Sequence, residues 1–237
     1  PRSTGSLEIA GSVDDMDVID TSVYLARSNG SLAIIDVTDP AHPDADFLAA
    51  PVQPNQGLPV RVAACEEAVY LSACVHSGFE TYAHLHAVDR SSLAVVDLDS
   101  RQGNIEDLQC TAGGKLAVLD NWGLSLRDID VAQGQHTVLG YGEFNDAKPQ
   151  KLVLVDDLAI VGTRSHGLFT VRLPEDEGPE PLGTLDLPDL LTHFDIESDH
   201  PFSTAGDPGL LVIDISDPTA PHLVATMPEL HNTSDVA

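Results

Sequence analysis

The sequence predicts an all-β fold made of repeated four-stranded units, on three observations. Apolar residues occur in short runs of valine, isoleucine and leucine, interrupted by glycine, aspartate and proline, a pattern typical of strands and turns rather than of long amphipathic helices. A six-residue motif recurs along the chain without gaps. Its copies are about 45 residues apart, and such a period is typical of the four-stranded blades of a β-propeller.

The motif predicts the third strand of each unit. An upstream pair of strands, such as residues 16–19 and 23–26, precedes it, and a downstream strand, such as residues 46–49, follows it. Each unit therefore has four strands, which we name A to D in chain order. Clear copies of the motif lie at residues 32–37, 124–129, 168–173 and 210–215.

The second unit allows two alignments. Residues 93–98 match the motif best in residue identity, but they lie further along the chain than the regular spacing of the motif predicts. Even spacing favours residues 84–89 as strand C and residues 92–98 as strand D. We predict the even spacing, which leaves residues 74–82 as a long loop between strands B and C.

The first and last copies of the motif continue as IDVTDP at residues 35–40 and IDISDP at residues 213–218. These resemble the VIDVSDP signature of LVIVD repeats, a propeller family associated with bacterial and archaeal exported and cell-surface proteins. The resemblance runs through nearly the whole chain and is strongest in the first and fifth units. It implies a propeller fold and an exported location, at the cell surface, in the periplasm or outside the cell. It implies no reaction.

We predict one propeller domain over residues 6–237, preceded by a polar, turn-rich segment over residues 1–5 that is typical of a leader scar or linker. Five blades are recognisable. Residues 6–11 resemble a D strand before the first blade, and residues 233–237 resemble the start of another A strand. An open ring would expose strand edges, so we expect a sixth blade completed by missing strands or by a second chain.

The charge of the chain limits its partners. Thirty-eight acidic residues against eleven basic ones give a net charge of −27, a field that repels nucleic acid and anionic lipid. No apolar run approaches the roughly 18 residues of a membrane span, so membrane insertion is not expected. The expected partner is a protein or an anionic small ligand.

The sequence contains no recognised catalytic motif: HExxH, the P-loop, GxGxxG and GxSxG are all missing. We therefore predict no catalytic residues and a binding or scaffold function for an exported propeller. The alternative is a metal-assisted hydrolase or lyase that uses histidines at the mouth of the central channel.

The histidines are the candidates for a transition-metal site. His84 and His86 are two residues apart and would share one face of a strand, with His76 nearby. A buried, hydrogen-bonded histidine is the commoner arrangement, so we predict no cofactor. The alternative is a bound transition-metal ion.

Calcium is the other candidate, because the motif carries an aspartate near the end of strand C, at Asp36, Asp128 and Asp214. A carboxylate that caps the following turn is the simpler interpretation, since aspartate commonly accepts bonds from the backbone amides of the turn it opens.

The scarce basic residues suggest a binding site. Aligning the blades on their second strands places charged side chains at equivalent positions early in strand A, which lines the channel of a propeller. Loops between strands B and C open at the same end. The residues predicted to bind a ligand there are Asp15, Arg27, Arg61, Asp107, Trp122, Lys151, Arg164, His166 and His193. The alternative is that a wet channel mouth merely tolerates polar residues.

Three cysteines without CxxC spacing exclude a disulfide scaffold and a zinc ribbon. Cys65 and Cys110 fall on strand A of adjacent blades, with registers about two residues apart, or ~6–7 Å along a strand. That offset is awkward for a disulfide. We therefore expect Cys65, Cys74 and Cys110 all to be reduced. The alternative is that two of them form a single disulfide.

Overall fold

The structure is a computed structural model that describes residues 5–28, 31–48, 58–77, 80–144, 147–165, 167–187, 191–197, 200–205 and 209–230. Within these ranges, the side chains of residues 58–60, 76–77, 191–197, 200–205 and 230 lie outside the description. The chain forms five antiparallel sheets of four strands each, and within each sheet neighbouring strands are consecutive in the chain. The predicted fold class, an all-β propeller with four-stranded blades, is confirmed.

Each blade takes its four strands A to D in chain order. Blade one contains β1 (Val13–Ile19), β2 (Ser22–Arg27), β3 (Leu32–Asp36) and β4 (Asp44–Leu48). Blade two contains β5 (Leu58–Ala64), β6 (Ala68–Ser77), β7 (Glu80–Asp89) and β8 (Val95–Gln102). Blade three contains β9 (Ile105–Cys110), β10 (Leu116–Asp120), β11 (Gly123–Asp130) and β12 (Gln135–Glu143). Blade four contains β13 (Pro149–Val155), β14 (Leu158–Thr163), β15 (Leu168–Arg172) and β16 (Glu180–Leu185). Blade five contains β17 (Leu191–Glu197), β18 (His200–Ala205), β19 (Gly209–Asp214) and β20 (His222–Met227).

Two compact units divide the chain. Unit one comprises residues 1–110 and 129–137, and unit two comprises residues 111–128 and 138–237. No helix in the described ranges is both long enough and apolar enough to cross a membrane.

Apolar side chains from neighbouring blades form the core within each unit. In unit one, Tyr24 and Leu32 of blade one pack with Val62 and Leu71 of blade two. In unit two, a second cluster combines side chains of blades four and five, and it contains Ile160, Leu168, Leu211, Ile213 and Ile215. Alternate residues of a strand face opposite sides of its sheet, so each central blade buries apolar side chains on both faces.

Aspartates cap the turns that follow strand C at two of the three predicted positions, Asp36 and Asp214. The third, Asp128, lies within β11 and pairs with Lys115 at 2.9 Å. The Asp36 carboxylate accepts hydrogen bonds from the backbone N–H of Thr38 at 2.8 Å and from its hydroxyl at 2.6 Å. Asp214 accepts from the Ser216 N–H at 2.8 Å. The pKa of Asp89 is lowered to about 2, mainly by three hydrogen bonds. Two come from the hydroxyls of Ser91 and Ser92, and one comes from the backbone N–H of Ser92. These carboxylates are therefore occupied by backbone and hydroxyl donors.

Blade two follows the even spacing, because residues 84–89 lie in the third strand, β7. The predicted loop over residues 74–82 is wrong. The β6–β7 ladder continues through Cys74 opposite Ala83 to Ser77 opposite Glu80, so regular pairing replaces most of that loop.

The predicted strand over residues 6–11 is also not observed, since residues 5–10 have no strand assignment. A strand needs a paired neighbour for its backbone groups, and the described residues provide none there. Closure by a sixth blade stays a prediction.

Candidate functional site

The residues predicted early in strand A occupy one equivalent position in four blades. Asp15 pairs with Ala26, Arg61 with Ser72, Lys151 with Gly162 and His193 with Thr204, and each follows a register shift in its ladder. A bulge adds one residue to a strand and changes the direction of the side chain that follows. The backbone therefore has the same local geometry at each of these four positions. Of the nine predicted residues, His166 lies outside the described ranges, and only the backbone of His193 is described.

Asp15 and its neighbour Asp17 connect blade one to blade two. The Asp15 carboxylate accepts a hydrogen bond from the Val62 N–H at 3.0 Å, and Asp17 accepts one from the Ala64 N–H at 2.7 Å. Burial raises the pKa of Asp15 above its ordinary value, an effect that the bond from Val62 partly offsets and the charge of Asp107 increases. Both aspartates thus have a structural role between blades.

Arg61 reaches from blade two to blade three. Its Nε donates to the backbone oxygen of Glu106 at 2.6 Å. The alignment on second strands places Leu108 at the position in blade three that is equivalent to Arg61, with Asp107 beside it, whereas the Arg61 side chain contacts Glu106. Asp107 itself is 3% exposed, and its carboxylate accepts from the N–H of Leu108 at 3.0 Å.

The expectation that all three thiols are reduced is wrong. Cys65 and Cys110 form a disulfide, with their Cα atoms 5.6 Å apart and 45 residues between them in sequence. Arg61 and Glu106 are also 45 residues apart, so the A strands of blades two and three approach each other at this spacing and the predicted offset does not prevent the bond. Cys74 is free and partly buried, and burial raises the pKa of its thiol.

Arg27 is buried within blade one, with 7% of its surface exposed. Its guanidinium donates to the Ser31 hydroxyl at 2.8 Å and to the backbone oxygen of Ala10, and it lies 5.1 Å from the ring centroid of Phe47. Arg27 thus ties the segment before β1 to its own blade.

Of the three histidines predicted as metal ligands, His84 and His86 have described side chains. The rings of His84 and His86 lie 6.3 Å apart between centroids, and His86 Nδ1 contacts Asp97. Burial lowers the pKa of His86, against the opposing effect of Asp97. His76 lies opposite Thr81 in the ladder, and its side chain is outside the described set. In the described part of the chain, no three histidine, cysteine or carboxylate side chains form a group that could hold a metal ion.

Unit two contains an exposed tryptophan in a rigid turn. Trp122 follows β10 and is 53% exposed, whereas Asp120 is 1% exposed. One oxygen of Asp120 accepts from the N–H of Trp122 at 2.9 Å, from the N–H of Gly123 at 3.0 Å and from the Tyr141 hydroxyl at 2.6 Å. These three bonds fix the backbone of the turn and leave the indole ring in solvent.

Backbone hydrogen bonds link Phe144 to this turn and Lys148 to the β14–β15 turn that carries Arg164. The Phe144 N–H donates to the Trp122 backbone oxygen at 3.0 Å, and the Arg164 N–H donates to the Lys148 oxygen at 3.0 Å. With its amide oxygen turned toward the guanidinium, Gln150 accepts from Arg164 Nε at 2.6 Å and from Nη2 at 2.7 Å. The exposed side chains of Trp122, Lys148 and Arg164 thus belong to one hydrogen-bonded surface of unit two.

Sequence reasoning identified Trp122, Lys151 and Arg164 but missed Lys148 and Gln150, which lie just before and within β13. A signal was available, since Lys148, Lys151 and Arg164 cluster within 17 positions of a chain that has only eleven basic residues. Gln150 has no such signal, because its role depends on the position of the Arg164 guanidinium.

Two stretches of the chain, residues 10–47 and 204–227, match the LVIVD repeat family. Among solved structures, the computationally designed protein Ika8 is similar to 99% of this chain, which covers 68% of Ika8, with a TM-score of 0.71 and 13% identity. A chain in the mitotic checkpoint complex is also similar, with a TM-score of 0.65 and 15% identity. The likeness covers 91% of this chain and 66% of that one. At these identities the likeness concerns the fold alone. No curated protein matches the sequence.

Proposed function

Because two stretches of this β-propeller match the LVIVD repeat family, we propose that it is an exported binding module that recognises an anionic group on a protein or a small ligand. Its recognition surface is formed by Trp122, Lys148, Lys151 and Arg164, which we name the Trp122–Arg164 surface. Repeat propellers commonly serve as binding or scaffold modules, with function located in the surface residues rather than in the fold.

The observation that carries the proposal is the combination of an exposed indole with cations on one surface of unit two. Trp122 is 53% exposed although its turn is held by the buried Asp120. Large aromatic side chains that are rigidly placed in solvent are enriched among binding hot spots, as is arginine. A turn fixed in this way loses little conformational freedom when a partner binds.

Charge supports an anionic partner. The whole chain carries −27, so a local group of cations is where a carboxylate would meet the most favourable potential. The same net charge argues against nucleic acid as the partner.

The Cys65–Cys110 disulfide supports the exported location. Structural disulfides persist in oxidising compartments such as the periplasm and the cell exterior, and they are rare in the cytosol. Both half-cystines belong to unit one, whereas the residues of the Trp122–Arg164 surface belong to unit two.

The fluorescence of Trp122 tests the proposal directly, because the chain contains one tryptophan. The probe is a peptide that alternates glutamate with phenylalanine, and its matched control has glutamine in place of glutamate. We expect the acidic peptide to shift the emission of Trp122 and the glutamine peptide to do so much less. Arg164→Ala should weaken the titration about tenfold, as the loss of roughly 1.4 kcal/mol would.

Arg172→Ala is the matched control variant, since Arg172 is an exposed arginine of the same blade that is paired with Glu180 at 3.0 Å. It should titrate like the parent chain. Equal responses to both peptides, or equal losses in both variants, would contradict recognition at the Trp122–Arg164 surface.

A further inference from the structure

Blade one exposes apolar side chains at positions that are buried in other blades. Met16 follows Asp15 in β1 and is 61% exposed. Its equivalents by ladder register, Val62 and Leu152, are 4% and 0% exposed. Val18 is 52% exposed, whereas its equivalent Ala64 is 8% exposed.

In blade two, the preceding blade covers these positions, because Tyr24 and Leu32 pack against Val62 and Ala64. The same face of β1 is therefore apolar, like the faces that are buried between blades, but no blade among the described residues packs against it. Burying apolar side chains of this size stabilises a protein, so a cover over this face would be favourable.

Residues 5–10 already occupy part of the missing cover. A Cβ built on Gly5 would lie 2.4 Å from the backbone oxygen of Pro40, and one built on Gly183 would lie 2.6 Å from that of Pro218. In both pairs the glycine precedes the proline by 35 residues. Gly183 lies in β16, strand D of blade four, where that strand passes the turn after β19 of blade five.

The packing of the next apolar residue agrees with this equivalence. Leu187 lies four residues after Gly183 and packs against Leu211 and Ile213 of blade five. Ile9 lies four residues after Gly5 and packs against Ala33 and Ile35, in the third strand of blade one. Residues 5–10 thus pack against blade one in the way that strand D of blade four packs against blade five.

We propose that the face of blade one carrying Met16 and Val18 is the docking surface for strands A, B and C of a further LVIVD-type repeat, for which residues 5–10 supply strand D. The occupant is a three-stranded antiparallel sheet with one apolar face. It would pair with residues 5–10 along its outer strand and cover Met16 and Val18 with its inner strands, which continues the packing seen between blades one and two.

Methionine oxidation tests the proposal, because the chain contains two methionines, Met16 and Met227. The extended protein is the full chain preceded by a copy of residues 149–178, which hold strands A to C of blade four. This junction keeps the natural distance of five residues between position 178 and the glycine of strand D. Peroxide oxidation at each methionine is then followed by mass spectrometry, since its rate depends on exposure.

We expect oxidation of Met16 to slow by about tenfold in the extended protein, in keeping with the loss of most of its exposure, while Met227 is unchanged. The same extension with Ile160→Asp in the appended copy should leave Met16 reactive, because Ile160 is among the side chains with which blade four packs onto blade five. An intact Cys65–Cys110 disulfide and the parent emission of Trp122 show that each variant is folded.

Two outcomes would overturn the proposal. If Met16 reacts equally fast in the extended and parent chains, the face does not accept a further repeat. If Met16 becomes protected in the parent chain as its concentration rises, with a doubled mass in solution, the occupant is a second copy of this chain.

Discussion

Asp17 of blade one accepts a hydrogen bond from the backbone N–H of Ala64 of blade two, at 2.7 Å. The Ala64 N–H would lose this partner in Asp17→Ala. Removing a charged acceptor and leaving a buried donor unsatisfied costs about 1–3 kcal/mol, and we expect a loss of that size in the free energy of unfolding, measured with urea. Asp44→Ala is the control, because the Asp44 carboxylate is exposed and accepts a bond from the N–H of the next residue in its own blade. Equal losses would contradict a bond between blades.

Asp15 makes stability depend on pH. Its raised pKa means that the folded chain keeps this proton at pH values where the unfolded chain has released it. Stability therefore falls as the pH rises from the ordinary value of 3.8 through the raised pKa. Asp15→Asn keeps an oxygen acceptor for Val62 and cannot ionise.

We expect the stability of Asp15→Asn relative to the parent to increase from about pH 4 to about pH 7, measured by urea unfolding. Asp44→Asn removes the same charge at an exposed position and controls for general relief of the acidic field. A difference between Asp15→Asn and the parent that stays constant with pH would count against the burial of the Asp15 carboxylate.

The disulfide should contribute strongly to the stability of unit one. A cross-link between residues 45 positions apart removes loop entropy from the unfolded chain worth about 4 kcal/mol in the chain-entropy account. We expect reduction, or Cys65→Ala together with Cys110→Ala, to lower the urea midpoint markedly. Cys74→Ala should change it little, and a midpoint that reduction does not move would show that the bond is not formed in solution.

Gly123 permits the close approach that shapes the Trp122 turn. A Cβ at this position would lie 2.2 Å from the backbone oxygen of Gly142, so backbone must move in Gly123→Ala. We expect a loss of about 1–3 kcal/mol and a changed Trp122 emission. Gly113→Ala is the control, because the atoms nearest to its Cβ would be side-chain atoms of Glu175, at 3.6 Å or more. An unchanged emission in Gly123→Ala would contradict the geometry of the turn.

The fold could be predicted from the sequence because the repeat carries it. Period, strand alternation and the aspartate caps such as Asp36 depend on neighbours along the chain, and all of these are observed. The Cys65–Cys110 bond could not be predicted for the opposite reason. It depends on how strands of two different blades lie against each other, and the repeat along the chain does not specify this.

The candidate site was only partly predictable. Trp122 and Arg164 could be identified, since a lone tryptophan and a rare cation differ from an acidic background. The structural roles of Arg27 and Asp15 could not, because a charged side chain gives no sign in sequence of whether it will face solvent or bond to a buried backbone group. Arg27 contacts the backbone of Ala10, seventeen residues away.

No described strand pairs with a strand of another sheet, so blades adhere through side chains and through bonds such as that from Ala64 to Asp17. A whole blade could thus be duplicated, deleted or exchanged in evolution without cutting a hydrogen-bonded ladder. Nearest-neighbour energetics of this kind make the number of repeats a variable that recombination can change, while the sequence at each boundary remains under selection.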